Sequence, residues 1–304
     1  MDEKQKKSFY ADKFRVIEDK SVNLKIWLTD DNDKPVTREK GDEQLKSDIL
    51  QLSEIQEKLY SSNRYGVLIV IQAMDAAGKD SVIKHVMSGL NPQGVNVTPF
   101  KTPTHQELEH DYLWRHYIAL PARGMVGIFN RSHYENVLVT RVHPEYILNE
   151  NLPEVHQAKD IDQSFWEMRF KQINHFEKTL VSNGTVIMKF FLHVSKKEQK
   201  KRFLERISDT AKNWKFSAAD MKERGLWKEY QKAYEDMLEH TSTSRAPWFI
   251  VPADDKWFTR LVIANIIVSE LEKLNLQNPL LTEAQKSDLE KARAELMKEN
   301  ESQS

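Results

Sequence analysis

The sequence contains no cysteine among its 304 residues. This absence excludes disulfide bonds, thiolate metal sites and cysteine nucleophiles, and it fits a reducing compartment. Long apolar runs are also missing, because no stretch approaches the ~20 residues that a helix needs to span a bilayer. The first ten residues, MDEKQKKSFY, lack the apolar core of a secretory signal. We therefore expect a cytoplasmic protein that does not associate with a membrane.

An excess of either charge is absent too. The chain has 45 Lys and Arg residues against 46 Asp and Glu residues, for a net charge of −1. Bulk charge therefore cannot attract a polyanion, which would have to be held by a local basic patch. Basic and aromatic residues do not alternate as they do in RNA-binding motifs, so nucleic acid is not an expected partner. Aromatic residues are plentiful, with 7 Trp, 9 Tyr and 13 Phe, and can supply a sizeable core.

The most informative stretch spans residues 65–90, YGVLIVIQAMDAAGKDSVIKHVMSGL. Its apolar run at 67–71 predicts a strand that is buried on both faces. A loop of small residues follows, and apolar residues then recur at helical spacing. A strand, a tight loop with Gly78-Lys79 and a helix are the context that a phosphate-binding P-loop requires.

The chemistry of this loop suits phosphate oxygens. Backbone N–H groups of Ala76, Ala77 and Gly78 are expected to point, with the positive end of the following helix, at one spot. Lys79 adds a mobile positive charge, and Gly78 lets the backbone approach the ligand closely. The alternative is a Gly-Lys turn without function.

Two positions depart from the common pattern G-x-x-x-x-G-K-[ST]. Ala73 replaces the first glycine, and Asp80 replaces the hydroxyl that usually binds Mg²⁺. Asp75 places a further carboxylate inside the loop, where it would repel a phosphate chain unless a metal ion lay between them. The loop therefore predicts a phosphoryl-transfer site with its own metal-holding acids.

Strand-like segments alternate with helical ones along the chain. Strands are predicted at 67–71, 95–100, 125–129, 185–194 and 248–252, and helices at 42–60, 82–90, 107–117, 161–180, 196–206, 217–239, 257–274 and 282–299. This alternation predicts an α/β fold, a P-loop kinase-like, doubly wound and mostly parallel five-stranded sheet with helices on both faces and a helical lid. We expect an N-terminal arm and helix packed on the core (1–60), the P-loop kinase domain (61–275) and a charged C-terminal helix (276–304).

A second polar cluster follows the third predicted strand, in the segment FNRSHYEN at 129–136. Ligands of parallel sheets bind beyond the carboxyl ends of strands, so this segment should lie near the P-loop. Asn130 stands where P-loop kinases commonly carry a Mg²⁺-supporting acid. Arg131 and Arg141 are candidates for holding a transferring phosphoryl group, because arginine is always charged and bidentate. Surface ion pairs with nearby glutamates are the alternative.

Histidines in the same region are better explained by structural roles. His133 and His143 lie close to these arginines in sequence. Phosphoryl transfer, however, needs little proton chemistry.

Basic residues are also concentrated between the helices that follow the fourth strand. P-loop nucleotide kinases carry a mobile basic lid in this part of the chain, so we expect a lid at about 206–225. A solvated helix junction is the alternative. The cluster consists of Arg202, Arg206, Asp209, Lys212, Lys215 and Arg224. Further candidates for tracking a chain of phosphates are Lys84, Lys101, Arg115 and Arg123.

Several long motifs between about residues 65 and 274 resemble the family-2 polyphosphate kinases. They are QAMDAAGKDSVIKHVMSGLNPQGV, FKTPTHQELEHDYLWRHY, GIFNRSHYENVLVTRVHPE, KNWKFSAADMKER and APWFIVPADDKWFTRL. The FNRSHYE form, with Asn130, is similar to the branch that accepts both AMP and ADP. Asn136 departs from that branch, which often carries an acid at this position.

The resemblance implies reversible transfer of the terminal phosphate of inorganic polyphosphate to AMP or ADP. Mg²⁺ is the implied cofactor, with Mn²⁺ as a substitute. Adenine nucleotides are the usual substrates, and some members accept guanine nucleotides. The family also implies a cytoplasmic homodimer or homotetramer. An ATP-dependent nucleotide kinase and a non-catalytic polyphosphate-binding protein stay open as alternatives.

The implied mechanism assigns roles to the residues already singled out. Polyphosphate lies on the P-loop, with Lys84 and Lys101 as further contacts, and Asn130 and Glu135 lie on the nucleotide side. The metal ligands are Asp75, Asp80 and Glu135. The catalytic residues are Asp75, Lys79, Arg131 and Arg141, and the lid residues are Arg206, Asp209, Lys212 and Lys215.

Overall fold

Five parallel strands form one sheet in the computed structural model, which describes residues 10–31, 34–211 and 213–301 without the side chains of Lys215 and 298–301. The strand order is β2-β3-β1-β4-β5, so the strand that leads into the P-loop is central. The strands are β1 (Gly66–Ala73), β2 (Val95–Pro99), β3 (Val126–Asn130), β4 (Thr185–His193) and β5 (Trp248–Pro252). The prediction of a doubly wound, mostly parallel five-stranded sheet is confirmed.

Helices cover both faces of this sheet. They are α1 (Arg38–Ser62), α2 (Lys79–Val86), α3 (His105–Leu108), α4 (Trp114–Tyr117), α5 (Glu135–Val142), α6 (Gln163–Ser182), α7 (Lys196–Ser208), α8 (Ala218–Gly225), α9 (Trp227–Thr241), α10 (Lys256–Glu272) and α11 (Glu283–Glu301). Helices α1, α2 and α10 pack together on one face, and α5, α6 and α9 pack on the other. No helix in the described residues combines the length and the apolarity that crossing a membrane would require.

The central strand is buried at all eight of its positions. Its β-branched and aliphatic side chains suit a pleated surface that is covered on both sides. Val67 lies opposite Val126 of β3 and Val186 of β4, which fixes the register on both sides. The carboxyl ends of β1 and β3 therefore meet at one edge of the sheet, where the polar clusters lie.

The N-terminal segment and α1 are anchored on the core. The backbone N–H of Val16 donates to the carbonyl of Trp248 at 2.8 Å, and Arg15 forms an antiparallel bridge with Phe249, so the arm covers the outer edge of β5. Helix α1 packs along α10 so closely that a Cβ at Gly41 would lie 2.3 Å from a ring carbon of Trp257. Only glycine allows this approach.

Two predicted helices are each divided into shorter pieces. The predicted helix at 107–117 is wrong, because α3 ends at Leu108 and α4 begins at Trp114. Asp111 interrupts it by accepting the backbone N–H of Leu113 at 2.9 Å, a local bond that competes with the helix. The predicted helix at 217–239 is broken at Leu226, directly after Gly225, a residue that weakens helices.

The start of the last helix agrees with its sequence pattern. Thr282 and Gln285 exchange side-chain and backbone hydrogen bonds at 2.9 and 3.3 Å, which form a capping box. The helix that follows is exposed throughout residues 283–297.

Burial of His193, at the carboxyl end of β4, predicts loss of stability in acid. Burial lowers the pKa of His193 from 6.5 to about 4. Below pH ~6.5 His193 therefore becomes protonated in the unfolded chain but stays neutral in the folded chain. This difference lowers the free energy of unfolding by up to about 3 kcal/mol by pH ~4. We expect His193→Gln to lose less free energy of unfolding than the wild type between about pH 7 and 4.5, as measured by urea denaturation. The control is His105→Gln, at an exposed histidine, and an equal loss in His193→Gln and the wild type would contradict the prediction.

Candidate active site

The P-loop joins the end of β1 to the start of α2. Ala76 and Gly78 have positive φ angles of 60° and 112°, and Gly78 is the N-cap of α2. Such left-handed residues in a turn shape the concave backbone that binds anions. The ammonium of Lys79 donates to the carbonyl of Ala73 at 3.0 Å, which closes the loop. Burial lowers the pKa of Lys79, so a bound phosphate would stabilise its charged form.

Arg131 connects the P-loop to the segment after β3. Its Nη2 donates to Oδ1 of Asp75 at 3.0 Å, and its Nη1 donates to Oε2 of Glu135 at 3.5 Å. The charge of Glu135 raises the pKa of Arg131. Asp75, Arg131 and Glu135, which the sequence predicted to act together, are therefore in direct contact.

The acidic residues lie at the same edge of the sheet. Burial raises the pKa of Glu135, against the opposing charges of Arg131 and Lys79. Oδ1 of Asp80 accepts a hydrogen bond from Nδ2 of Asn130 at 3.0 Å. Within the described ranges, no three His, Cys, Asp or Glu side chains form a ready-made metal cluster. Magnesium is usually held by one or two carboxylates together with substrate phosphates, so these acids suit that ion.

A cavity of about 340 Å³ opens beside Arg131. It has the size of a small-molecule site and combines an apolar wall with a few polar groups. Nineteen residues line it, among them Phe100, Lys101, Thr102, Leu108, Tyr112, Arg115, Arg131, Ser132, Glu135, Asn136, Val139, Tyr146, Asn149 and Glu150. Lys101, predicted to contact polyphosphate, lies on the wall of this cavity.

Two buried rings, those of Phe100 and His116, form part of the cavity lining. The ring of His116 packs 4.3 Å from that of Phe100, and burial holds the pKa of His116 well below its usual range. Arg115 is fixed beside it, because its Nη2 donates to the carbonyl of Lys101 at 2.9 Å and its Nε lies 3.3 Å from Glu107.

The underside of the P-loop is held by α7, which the sequence analysis did not foresee. Nη1 of Arg202 donates to the carbonyls of Ala77 at 2.7 Å and Ala76 at 3.2 Å. Its Nη2 donates to the carbonyls of Ala253 at 2.6 Å and Asp254 at 3.0 Å, beyond the end of β5. Arg202 was grouped with the lid, but it is buried and links the P-loop to β5. The signal that could have indicated this burial is the neighbouring apolar Phe203, because the buried side of this basic helix consists of Gln199, Arg202 and Phe203.

The segment that the sequence predicts to be a lid contacts the same helix, α7, through Arg224. Nη1 of Arg224 donates to the carbonyl of Lys196 at 3.0 Å and to Oε1 of Gln199 at 2.5 Å, and Nε2 of Gln199 donates to the carbonyl of Asp75 at 2.9 Å. Gln199 therefore couples α8 to the P-loop.

Two of the four predicted lid residues have contacts among the described residues. Nη1 of Arg206 lies 3.8 Å from Asp220 of α8, and Asp209 accepts the backbone N–H of Ala211 at 3.0 Å. Lys212 lies outside the described residues, and Lys215 is described only by its backbone, in the 3₁₀ helix Asn213–Lys215.

Other candidates lie away from the loop. Arg141 donates to Gln163 at 3.2 Å and to Asp236 at 3.4 Å and stacks over Trp166, so its predicted catalytic role stays a prediction. Lys84 is exposed on α2. Arg123 was wrongly grouped with them, because it precedes β3 and binds the carbonyl of Arg64 at the opposite edge of the sheet.

Comparison with known proteins gives one consistent family. The family model described as polyphosphate kinase 2 matches residues 35–279. The ADP-polyphosphate phosphotransferase of Rhodopseudomonas palustris is 47% identical over 285 residues, which are 94% of this chain and 98% of that protein. The AMP/ADP-polyphosphate phosphotransferase of Meiothermus ruber is 45% identical over 229 residues, 75% of this chain and 80% of that protein.

A solved structure agrees with these sequence matches. The crystal structure of polyphosphate kinase 2 from Arthrobacter aurescens TC1 superposes with a TM-score of 0.82 at 36% identity. The match covers 92% of this chain and 95% of that one.

Removal of the Arg202 guanidinium is expected to loosen the P-loop. Arg202→Met leaves two buried and two partly buried carbonyls without this donor, and each buried group that stays unsatisfied costs about 1–3 kcal/mol. We expect the variant to bind inorganic tripolyphosphate at least about tenfold more weakly in isothermal titration calorimetry, a loss of ~1.4 kcal/mol. Arg245→Met, at an exposed arginine between α9 and β5, is the control. A wild-type Kd in Arg202→Met would contradict this role.

Proposed function

The chain belongs to the polyphosphate kinase 2 family, and from this premise we propose that it transfers the terminal phosphate of inorganic polyphosphate to AMP and ADP in a reversible reaction. The observation that carries the proposal is the position of Arg131, between the P-loop and the 340 Å³ cavity. A phosphate-binding loop on one side and a nucleotide-sized cavity on the other provide places for two substrates. The enzyme is thus a polyphosphate-dependent nucleotide phosphotransferase.

The donor lies on the P-loop in this proposal. The terminal phosphate of polyphosphate accepts hydrogen bonds from the backbone N–H groups of Ala76, Ala77 and Gly78 and from Lys79. Lys84, exposed further along α2, contacts the more distant phosphates of the chain.

The acceptor nucleotide occupies the cavity. Its phosphates lie toward Arg131 and Lys101, and its base lies against the apolar wall formed by Phe100, Leu108 and Val139. Adenine is the base that we propose, with guanine as a second substrate, because an apolar wall accommodates either purine.

The transfer is an in-line displacement. A terminal phosphate oxygen of the nucleotide attacks the terminal phosphorus of the donor. The bond from that phosphorus to the bridging oxygen breaks, and the shortened polyphosphate leaves with the bond's electrons. Arg131 and Lys79 neutralise the charge that grows on the equatorial oxygens, and the lid residues Arg206, Asp209, Lys212 and Lys215 close over the site and exclude water.

A divalent cation would be held by Asp75 and Glu135, with Asp80 as a further ligand. Mg²⁺, or Mn²⁺ in its place, would supply positive charge between two phosphate chains that otherwise repel each other. Both carboxylates contact Arg131, so the same guanidinium keeps these acids apart and oriented.

An assay without ATP tests the proposal directly. With polyphosphate and Mg²⁺, we expect AMP to yield ADP and ADP to yield ATP, measured separately by chromatography. Phosphorylation that requires ATP as donor would instead support an ATP-dependent nucleotide kinase. Polyphosphate binding without any transfer would support a non-catalytic protein.

Single substitutions on the two sides of the reaction should lower turnover strongly. We expect Lys79→Ala, Asp75→Ala and Arg131→Ala each to lower kcat at least about a hundredfold, because each removes transition-state stabilisation worth ~3 kcal/mol. Arg245→Ala, at an exposed arginine outside the proposed sites, serves as the control in steady-state assays. A kcat within tenfold of the wild type in Lys79→Ala would contradict the proposed donor site.

We also propose that the enzyme is a cytoplasmic homodimer or homotetramer in which α11 packs on a second copy. In support, Leu289 and Leu296 lie on the exposed helix, 57% and 62% accessible. Multi-angle light scattering should give a multiple of the 35.7 kDa chain mass, and Leu289→Glu with Leu296→Glu should shift it toward that of one chain. A wild-type mass in the double variant would exclude α11 from the interface.

A further inference from the structure

A buried polar cluster lies behind the turn that carries Arg131. It consists of Lys189 on β4, Glu177 on α6, and His133 and Tyr134 from the turn, each at most 2% exposed. The ammonium of Lys189 donates to Oε2 of Glu177 at 2.6 Å, to the hydroxyl of Tyr134 at 2.8 Å and to the carbonyl of Thr241 at 2.7 Å. All three ammonium protons therefore have an acceptor.

Glu177 binds the turn at two points. Its Oε1 accepts the hydroxyl proton of Tyr134 at 2.6 Å and lies 3.3 Å from Nε2 of His133. Burial acts to raise the pKa of Glu177, but the charge of Lys189 and the hydrogen bond from His133 together hold that pKa below its usual value. Burial lowers the pKa of His133, so a neutral imidazole donates to the carboxylate.

Stability alone does not account for this cluster. A buried ion pair often contributes no more than an apolar pair of similar volume, because desolvation of both charges offsets their attraction. Lys189 also interrupts a strand whose other residues from Ile187 to Leu192 are apolar. What the cluster supplies is a fixed geometry in which Lys189 and Glu177 both bind side chains of the turn.

That turn needs external support. Arg131 has a φ of 64°, a left-handed conformation that costs a residue with a Cβ about 1 kcal/mol or more and persists only where its surroundings impose it. The following residues are held on both sides. Ser132 Oγ accepts from Nε2 of Gln72 at 3.0 Å and from the backbone N–H of Tyr134 at 3.2 Å. Tyr134 leads directly into Glu135, the acid that binds Arg131.

We propose that Lys189, Glu177 and Tyr134 are positioning residues for the transfer reaction. They hold Arg131 and Glu135 between the donor loop and the acceptor cavity without contacting either substrate. The inference rests on the proposed function for what Arg131 binds, but the anchoring itself follows from the contacts of the buried cluster.

Tyr134→Phe is the first test. It removes one hydroxyl, keeps the ring that packs on Trp248 and leaves the Lys189–Glu177 pair in place, so the variant should fold. We expect kcat to fall about tenfold, with KM for polyphosphate and ADP within about threefold, because substrate binding groups are retained but misplaced for the transition state. Tyr10→Phe, at a buried tyrosine remote from the site, measures the cost of losing a buried hydroxyl elsewhere and should keep the wild-type kcat.

A double-mutant cycle separates positioning from structure. In an Arg131→Lys background, Tyr134→Phe should change kcat by less than about twofold, because the guanidinium that it positions is gone. Its effect on the free energy of unfolding should be the same in both backgrounds. Equal fold-losses of kcat in the two backgrounds would overturn the proposal. Absence of polyphosphate-dependent transfer in the wild type would instead overturn the proposed function.

The ion pair provides a second test. Lys189→Met alone leaves Glu177 buried without its partner and should lower the unfolding midpoint, and adding Glu177→Gln removes that charge and should restore the midpoint. We expect kcat of the double variant to stay at least about threefold below the wild type, because the hydroxyl of Tyr134 no longer accepts a hydrogen bond from the ammonium of Lys189. Recovery of kcat together with stability would show a merely structural role.

Discussion

The two contacts of Arg131 are the interaction on which the site depends. One end of its guanidinium binds Asp75 in the loop that follows β1, and the other binds Glu135 at the start of α5. These contacts join the P-loop to the cavity in which we propose that the nucleotide binds. Because arginine stays charged and presents its donors in a rigid fork, one side chain can orient two carboxylates and still face the anionic substrates. The parallel sheet makes this possible by ending β1 and β3 at one edge.

Buried cations hold the two halves of the site from behind. Arg202 binds four backbone carbonyls and links the P-loop to the end of β5, whereas Lys189 binds Glu177 and Tyr134 and fixes the turn after β3. Both charges are fully hydrogen-bonded or paired, as burial requires. A site that binds two polyanions needs a rigid scaffold, because mobile cations would move with the bound substrates and would not hold them in a fixed orientation. The same helix, α7, carries Arg202 and binds Arg224 of the predicted lid, so Gln199 links α8 to the P-loop.

All five strands and the parallel architecture could be predicted from the sequence, because short apolar runs separated by amphipathic helices have few other solutions. The P-loop and the group of Asp75, Arg131 and Glu135 could also be predicted, because ligands of a parallel sheet bind beyond the carboxyl ends of its strands. The roles of Arg202 and Lys189 could not be predicted, because a basic residue on a helix or strand is usually exposed and only tertiary contacts show that it is buried. Helix breaks at Asp111 and Leu226 escaped prediction because single local hydrogen bonds or a glycine decide them.

The two departures of the P-loop from its common pattern can now be explained physically. Asp80, in place of a hydroxyl, accepts a hydrogen bond from Asn130 at 3.0 Å, which links the start of α2 to the end of β3. An acid at position 130 would put two carboxylates within that distance and force one of them to take up a proton or move apart. The amide at 130 and the acid at 80 are therefore a matched pair, in which the charge has moved from the end of β3 to the first turn of α2. Ala73, in place of glycine, is the last residue of β1, where a small buried side chain is tolerated while its carbonyl holds Lys79.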